Sequence, residues 1–141
     1  MAARTKARKR ALDVLFECEA RGLPFGATLD QRRAEAARDP RSPAVAPYTE
    51  ELVLGVAEHQ AELDALLAEL SHGWDLDRMP AVDRNLLRIG AYELLYGDGV
   101  PAAVVVSEAV SLATDLSTEG SPAFVNGVLS RIAADRAGRE P

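Results

Sequence analysis

The sequence predicts an all-α fold, and three observations support that class. The 141 residues are 48% hydrophobic, which is enough for one compact domain with a substantial core. The apolar residues are mostly Ala, Leu and Val, and aromatic residues make up only 5%, which suits helix packing better than a β-sandwich. Apolar residues also recur at three- and four-residue steps between Gly and Pro breaks, so both halves look like helical bundles.

The first half of the chain predicts three amphipathic helices. Residues 5–21 form the first, because their apolar side chains have helical spacing and Gly22 stands at the C′ position. A loop over residues 22–27 leads to a weaker helix at 29–38, followed by a turn-rich break at 39–43. The third helix starts near Pro47, a residue favoured in the first turn, and continues to Ser71.

The second half predicts a short helical turn before Pro80 and then the strongest helix of the chain, at residues 82–96. This helix is apolar around most of its girth, so we expect it to be central and buried. Gly90 inside it costs on the order of 1 kcal/mol in helix propensity, and close approach by a neighbouring helix would explain it.

Two further helices complete the second half. The Val run at 104–106 is compatible with a strand, but the helical spacing that continues to Leu116 favours a helix. Ser121 and Pro122 are the expected N-cap and first residue of a last helix that ends near Arg136. We therefore expect a single domain, 1–141, with an N-terminal helical subdomain at 1–72 and a C-terminal one at 73–141.

Composition excludes several functional classes. The longest uncharged run, residues 120–130, is too short to span a bilayer, and no secretory signal is visible. The single cysteine, Cys18, excludes an internal disulfide framework and is typical of a reducing cytoplasm, where we expect the protein to act. Its position on the first helix favours a small core residue over a reactive thiol.

The sequence does not predict an enzyme, a metal site or a cofactor. His59 and His72 have no cysteine partner and no HExxH pattern, and no glycine-rich phosphate loop occurs. Eight acids and no basic residue lie between Glu50 and Asp77. They form either a solvated face, which charge alone favours, or a docking surface for a basic protein.

Positive charge is concentrated at one end of this acidic chain. The first ten residues hold five of the sixteen basic side chains and no acid, whereas the other 131 residues carry 22 acids against 11 arginines. This basic block is either a frayed, solubilising terminus or an anchor for RNA phosphates. Phe16 follows it and is either a core residue or an aromatic on which an unpaired base stacks.

Three segments, read together, resemble the NusB family of bacterial transcription antitermination factors. The first is ARKRALDVLF at residues 7–16, and the second is VDRNLLRIGAYEL at 82–94. The third is Val100-Pro101, followed by SEAVSLA at 107–113 and FVNGVL at 124–129. Their order and spacing match across essentially the whole chain, and FVNGVL behind an Arg-rich first helix is highly specific.

The resemblance implies an all-helical fold of two packed three-helix-type bundles, with about seven helices, and a non-enzymatic role. It implies binding to box A of nascent ribosomal leader RNA jointly with NusE, a basic ribosomal small-subunit protein. The pair then helps RNA polymerase read through termination sites with other Nus factors, which this chain would meet indirectly.

The resemblance also assigns residues. Positions that match the family's RNA-contacting residues, or extend their charge, are Arg4, Lys6, Arg8, Lys9, Arg10, Phe16 and Phe124. The region that contacts the ribosomal-protein partner corresponds to Asp77, Asp83, Arg84 and Arg88. For Arg88 the alternative is an arginine at a packing edge that extends over the bundle.

The chain departs from the family pattern in three places. GSPA at residues 120–123 replaces a more polar stretch, Phe16 replaces a common tyrosine, and Thr5 interrupts the basic residues. These changes predict modest RNA affinity without the partner. Two alternatives stay open: an RNA-targeting module of a ribosomal RNA methyltransferase, for which this chain has no catalytic domain, and a self-associating scaffold or homodimer that covers the basic helix.

Overall fold

The computed structural model describes residues 3–72, 74–97 and 99–139, and the described residues contain helices and no strand. The α-helices are α1 (Ala3–Ala20), α2 (Leu29–Arg38), α3 (Pro47–Leu70), α4 (Ala81–Tyr96), α5 (Ala102–Leu116) and α6 (Ser121–Arg139). A short 3-10 helix, Leu76–Arg78, precedes α4. The predicted all-α class is confirmed, and the six α-helices with one 3-10 helix agree with the expected number of about seven.

The helix boundaries follow local signals in the sequence. At the end of α1, Gly22 has φ +68°, and the Leu23 N–H donates to the Cys18 carbonyl at 2.8 Å. This left-handed glycine closes the helix as the sequence predicts. Residues 104–106 lie inside α5, so the helical interpretation of the Val run is confirmed.

The residues pack into two compact units, 1–58 and 59–141, whose boundary falls within α3. Gly73, where the predicted C-terminal subdomain begins, lies outside the described residues. The division into subdomains 1–72 and 73–141 therefore stays a prediction.

The first unit has its core along one side of α1. Side chains from α1, α2 and the first half of α3 are almost fully buried, among them Ala11, Leu15, Cys18, Leu29, Leu52 and Val56. Cys18 is 0% exposed, and its Sγ lies 3.7 Å from Thr28 Oγ1, as expected for a core residue. Near the start of α3, the Thr49 hydroxyl donates to the Ala7 carbonyl at 3.0 Å, which attaches α3 to the basic end of α1.

The second unit is built around α4, which packs against both α5 and α6. Ten of its residues are buried, and they occupy most of the helix circumference, as the sequence predicts for a central helix. An ideal Cβ on Gly90 would lie 2.6 Å from Leu129 Cδ1 of α6, and Leu129 is itself 0% exposed. Close approach of α6 is therefore the reason for this glycine.

Gly90 in α4 and Gly127 in α6 predict substitutions of opposite sign. Gly90→Ala should lower the free energy of unfolding by about 1 to 3 kcal/mol, because the new methyl overpacks against Leu129. Gly127→Ala should raise it by up to about 1 kcal/mol, because the Cβ meets no atom of the described residues within 4 Å and alanine favours the helix. Urea denaturation followed by circular dichroism measures both.

A double-mutant cycle separates the steric contact from other effects of Gly90→Ala. In a Leu129→Ala background the methyl has room, so Gly90→Ala should no longer destabilise the protein. An equal loss of stability in both backgrounds would contradict the overpacking explanation.

Candidate nucleic-acid interface

The predicted basic block forms the first turns of α1, so residues 3–10 are part of a regular helix. Arg4, Lys6 and Arg10 are exposed on this helix. Lys9 is half-buried and makes an ion pair with Asp13 at 2.7 Å. Three cations of the block therefore face solvent from a defined backbone, which can present them to several phosphates at once.

Arg8 differs from the other four cations because it is only 3% exposed. Its guanidinium carbon lies 5.6 Å from the centroid of the Tyr48 ring, and that of Arg4 lies 4.6 Å from the same centroid. Both distances are within the range of a cation–π attraction. Tyr48 thus orders two of the arginines, and the direct RNA contact predicted for Arg8 stays a prediction.

Tyr48 belongs to the candidate site, although no pattern in the sequence assigns it a functional role. It is half-buried, and its neighbour Thr49 bonds to the Ala7 carbonyl. No sequence spacing links Tyr48 to Arg4, because more than forty residues separate them. The only local signal was an aromatic residue directly after the helix-starting Pro47.

Phe16 lies farther along α1 and is 44% exposed, so it is not a core residue. Lys9 precedes it by seven residues, which places the two on the same face of the helix, about two turns apart. The adjacent Glu17 accepts a hydrogen bond from Arg32 at 2.9 Å. That bond, reinforced by Arg21, holds the pKa of Glu17 below its usual value, so the carboxylate beside Phe16 stays ionised and paired.

Phe124, the predicted RNA-contacting residue of the second unit, lies in the first turns of α6 and is half-buried. Its ring centroid is 5.3 Å from that of Trp74, and the two planes are tilted by 42°. Trp74 is 54% exposed. The sequence did not suggest Trp74 as a site residue, because it stands in a short loop with no periodic pattern around it.

Of the residues predicted to contact the protein partner, Asp77 is the exposed one and lies in the 3-10 helix. Arg84 holds that segment in place, because its Nη1 donates to the carbonyls of Leu76 at 2.6 Å and Met79 at 3.0 Å. The segment that presents Asp77 is therefore attached to the first turn of α4.

Asp83 and Arg88 are buried, at 2% and 6% exposure. The Asp83 carboxylate accepts hydrogen bonds from the hydroxyls of Ser117 at 2.5 Å and Ser121 at 2.8 Å. The Arg88 guanidinium donates to both carboxylate oxygens of Asp64, at 2.8 and 3.0 Å. Both side chains thus have structural roles inside the second unit, and their contact with a partner stays a prediction.

The described residues offer no cluster of His, Cys, Asp and Glu side chains that is suited to a metal ion. Across the same part of the chain, none of the helices combines the length and the apolar character needed to cross a membrane.

Comparison with known proteins decides the family. The NusB family model matches residues 5–134. A transcription antitermination protein NusB from a Nocardioides species is 57% identical over 136 residues, covering 96% of this chain and 97% of the relative. One from Kineococcus radiotolerans is 56% identical over 133 residues, covering 94% of each chain.

The chain belongs to the NusB family. The resemblance found in the sequence is thereby confirmed. Transcription antitermination, the role for which these relatives are named, is not an enzymatic activity, which agrees with the sequence prediction.

Solved structures support the same assignment. T. maritima NusB is 30% identical, with a TM-score of 0.80 and coverage of 95% of this chain and 92% of that one. A chain from a crystal structure of the antitermination factors NusB and NusE in complex with dsRNA is 29% identical. Its TM-score is 0.77, and the match covers 94% of this NusB-family chain and 96% of the other.

Asp83 is a buried residue of the proposed partner-binding region, and its hydrogen bonds predict that its substitution strongly reduces stability. Asp83→Ala should lower the free energy of unfolding by about 1 to 3 kcal/mol, because the hydroxyls of half-buried Ser117 and buried Ser121 lose their acceptor. Asp77→Ala is the matched control and should change it by less than about 0.5 kcal/mol, because Asp77 is exposed. Equal effects in chemical denaturation would contradict the structural role of Asp83.

Proposed function

We propose that this chain is a cytoplasmic transcription antitermination factor that binds box A of nascent ribosomal leader RNA together with NusE. In this role it promotes read-through by RNA polymerase, which it meets indirectly with other Nus factors. Family membership supports the proposal, as does the similarity to a structure in which NusB, NusE and dsRNA form one complex. The observation that carries it for this chain is the cationic face of α1.

The α1 surface has the charge and the aromatic group that an RNA contact needs. Lys6 and Arg10 are exposed, and Arg4 is held against the Tyr48 ring, while Phe16 exposes 44% of its surface. Cations that meet phosphates release counterions, and an exposed aromatic stacks an unpaired base. Because the rest of the chain is acidic, the main contacts with RNA phosphates should lie on this surface.

NusE is the proposed protein partner, and the acidic part of the chain supports it. Asp77 is exposed on a 3-10 helix that Arg84 attaches to α4. We assign the direct contact in this region to Asp77. Asp83 and Arg88 act by holding the surrounding helices in place, since both are buried and hydrogen-bonded within the chain. A basic protein is electrostatically complementary to such a surface.

Charge reversal on α1 tests the RNA surface. Lys6→Glu/Arg10→Glu should weaken binding to single-stranded box A RNA about tenfold or more at low salt. The slope of log affinity against log salt concentration should become shallower by about 1 to 2, because up to two phosphate contacts are lost. Arg8 is left unchanged, because its burial against Tyr48 would confuse an RNA effect with unfolding. Fluorescence anisotropy of labelled RNA measures the affinity.

The control is Arg38→Glu/Arg41→Glu, which changes the net charge by the same amount at exposed positions outside α1. This variant should bind RNA nearly as well as the unmodified protein. Equal losses for the two double variants would show that only net charge matters and would contradict the assignment of the RNA contact to α1.

Co-binding with NusE tests the composite complex. The pair should bind box A RNA more tightly than either protein alone, because two adjoining surfaces then share one ligand. Asp77→Lys should reduce the gain in affinity that NusE provides while leaving the affinity of the isolated chain unchanged or slightly higher. If NusE gives no gain in RNA affinity, the heterodimer proposal is contradicted. If the chain forms only homodimers and these cannot bind RNA, the scaffold alternative is favoured.

A further inference from the structure

A small cavity lies in the first unit, between α1, α2 and the loop that leads to α3. Its volume is about 90 Å³, which is well below the range of sites for cofactor-sized ligands and leaves room for a single tetrahedral group. Apolar side chains and five polar residues line it, and the polar ones are Arg10, Arg32, Glu35, Ser42 and Thr49. Two guanidinium groups in so small a space are suited to one phosphate group.

The hydrogen-bonding capacity of Arg32 is only partly used. Its Nη2 donates to Glu17 at 2.9 Å, whereas its Nε is buried and has no hydrogen-bond partner among the described residues. Buried donors normally have an acceptor, so this one indicates that a further acceptor belongs near the guanidinium. Because Glu17 also pairs with Arg21 at 3.3 Å, its negative charge is shared, and Arg32 keeps part of its attraction for an anion.

Arg10 contributes the second guanidinium from the basic end of α1. It is exposed, so its side chain can turn either towards solvent, where RNA phosphates are expected, or towards a group in the cavity. The opposing charge in the lining is Glu35, which is exposed and accepts a hydrogen bond from Gln31 at 3.3 Å. Two guanidinium groups against one solvated carboxylate leave the lining positive.

Ser42 is the hydroxyl of the cavity that an enzyme can reach. It is half-buried, and the loop that follows it, residues 43–46, has no regular secondary structure. Its N–H donates to the Asp39 carbonyl at 3.0 Å, so a defined turn places it at the cavity. The other hydroxyl, that of Thr49, is buried and already donates to the Ala7 carbonyl. Surface loops are the segments that other proteins can bind and modify.

The residues before Ser42 favour recognition of this loop by a kinase, because kinases read the charge pattern beside the residue that they modify. Arg38 and Arg41 are both exposed. Hydrogen bonds from Arg41 hold the pKa of Asp39 below its usual value, so this neighbouring pair is ionised on both sides. Arg41 is 92% exposed and already paired, so it competes weakly with the arginines of the cavity for a phosphate.

We propose that Ser42 is a phosphorylation site and that the cavity receives its phosphate between Arg10 and Arg32. A serine kinase catalyses the step with a nucleoside triphosphate. The Ser42 Oγ forms a bond to the terminal phosphorus, the bond from that phosphorus to the bridging oxygen breaks, and the nucleoside diphosphate leaves. The hydroxyl proton passes to a base of the kinase. The product carries a charge of about −1.5 to −2 at neutral pH and accepts charge-assisted hydrogen bonds from both arginines.

The consequence for RNA rests on the proposed function and deepens it by adding a means of regulation. A phosphate in the cavity engages Arg10, one of the exposed cations of α1, and adds negative charge beside the others. Both effects weaken the attraction of α1 for RNA phosphates. Phosphorylation of Ser42 therefore lowers the RNA affinity without a change of fold.

Phosphorus NMR tests the contact between the phosphate and the cavity in the full chain, prepared with phosphoserine at position 42 by genetic code expansion. The second pKa of a phosphoserine is about 6, and at position 42 it should be lower by about 0.5 or more, because two guanidinium groups favour the dianion. Arg10→Gln and Arg32→Gln should each remove much of this decrease. Glu35→Gln should lower the pKa further, because it removes the carboxylate of the lining.

The matched control is phosphoserine at Ser107, an exposed position of α5, whose residues include no basic one. Its second pKa should stay near the ordinary value of about 6. In thermal denaturation followed by circular dichroism, the phosphate on Ser42 should raise Tm by roughly 2 °C or more, because it joins α1 to the loop after α2, and the phosphate on Ser107 should not raise it. Equal pKa values at the two positions would show that the cavity does not receive the phosphate.

Inorganic phosphate distinguishes a free anion from a phosphate carried by the chain. Added to the unmodified chain at millimolar concentration, it should raise Tm less than the phosphate on Ser42 does, because covalent attachment provides a higher effective concentration. If inorganic phosphate raises Tm through Arg10 and Arg32 while phosphoserine at position 42 keeps an ordinary pKa, the cavity is a site for a free anion and the modification site is wrong.

Tandem mass spectrometry shows whether the modification occurs. In the chain isolated from its own growing and starved cells, the peptide that contains Ser42 should carry phosphate in at least one of the two states. If this peptide is unmodified in both, the assignment of Ser42 as a phosphorylation site is wrong.

RNA titrations separate this proposal from the proposed function. Phosphoserine at position 42 should weaken binding of single-stranded box A RNA about 3-fold or more at low salt, and phosphoserine at position 107 should weaken it much less. If Lys6→Glu/Arg10→Glu weakens RNA binding while phosphoserine at position 42 does not, the function stands and the regulation is wrong. If phosphoserine at position 42 has the lowered pKa but the unmodified protein binds no RNA with or without NusE, the phosphate site stands and the proposed function is wrong.

Discussion

Helix α4 carries charged side chains into the interior of residues 59–141, and they are stable there only because neighbouring helices supply their partners. The carboxylate of Asp83 receives hydrogen bonds from Ser117 and Ser121, and the Arg88 guanidinium is paired with both oxygens of Asp64. A buried charge that lost its partner would be far more destabilising than an exposed one. These bonds therefore specify how α3, the α5–α6 turn and α4 fit together.

The same network positions the proposed binding surface of the second unit. Ser121 begins α6 and is held by Asp83, so the first turns of α6, with Phe124 and Gly127, have a defined place relative to α4. Gly90 allows α6 to lie close to α4 through contact with Leu129. The first turns of α6 are thus a regular helix with a defined place, which lowers the conformational entropy that a ligand bound there must overcome.

The exposed charges on α1 and on the rest of the chain are of opposite sign, which suits two different kinds of partner. The exposed cations Lys6 and Arg10 lie on a regular helix, and the Tyr48 ring limits the freedom of Arg4. Outside this block the chain is strongly acidic, with Asp77 exposed on the segment before α4. In the proposed function, an anionic RNA and a basic protein are attracted to different surfaces, and each neutralises charge that would otherwise repel the other partner.

The sequence by itself determined the helices, the central position of α4, the reason for Gly90 and the family, because apolar periodicity and local end signals act within a few residues. It also placed the cations on α1 and predicted Phe124 as an RNA contact. Only the tertiary structure decided that Arg8 is buried against Tyr48, that Asp83 and Arg88 have partners inside the chain, and that the Trp74 and Phe124 rings are in contact. These contacts join residues that are tens of positions apart, and helical spacing shows which face of a helix is apolar but not which distant side chain meets it.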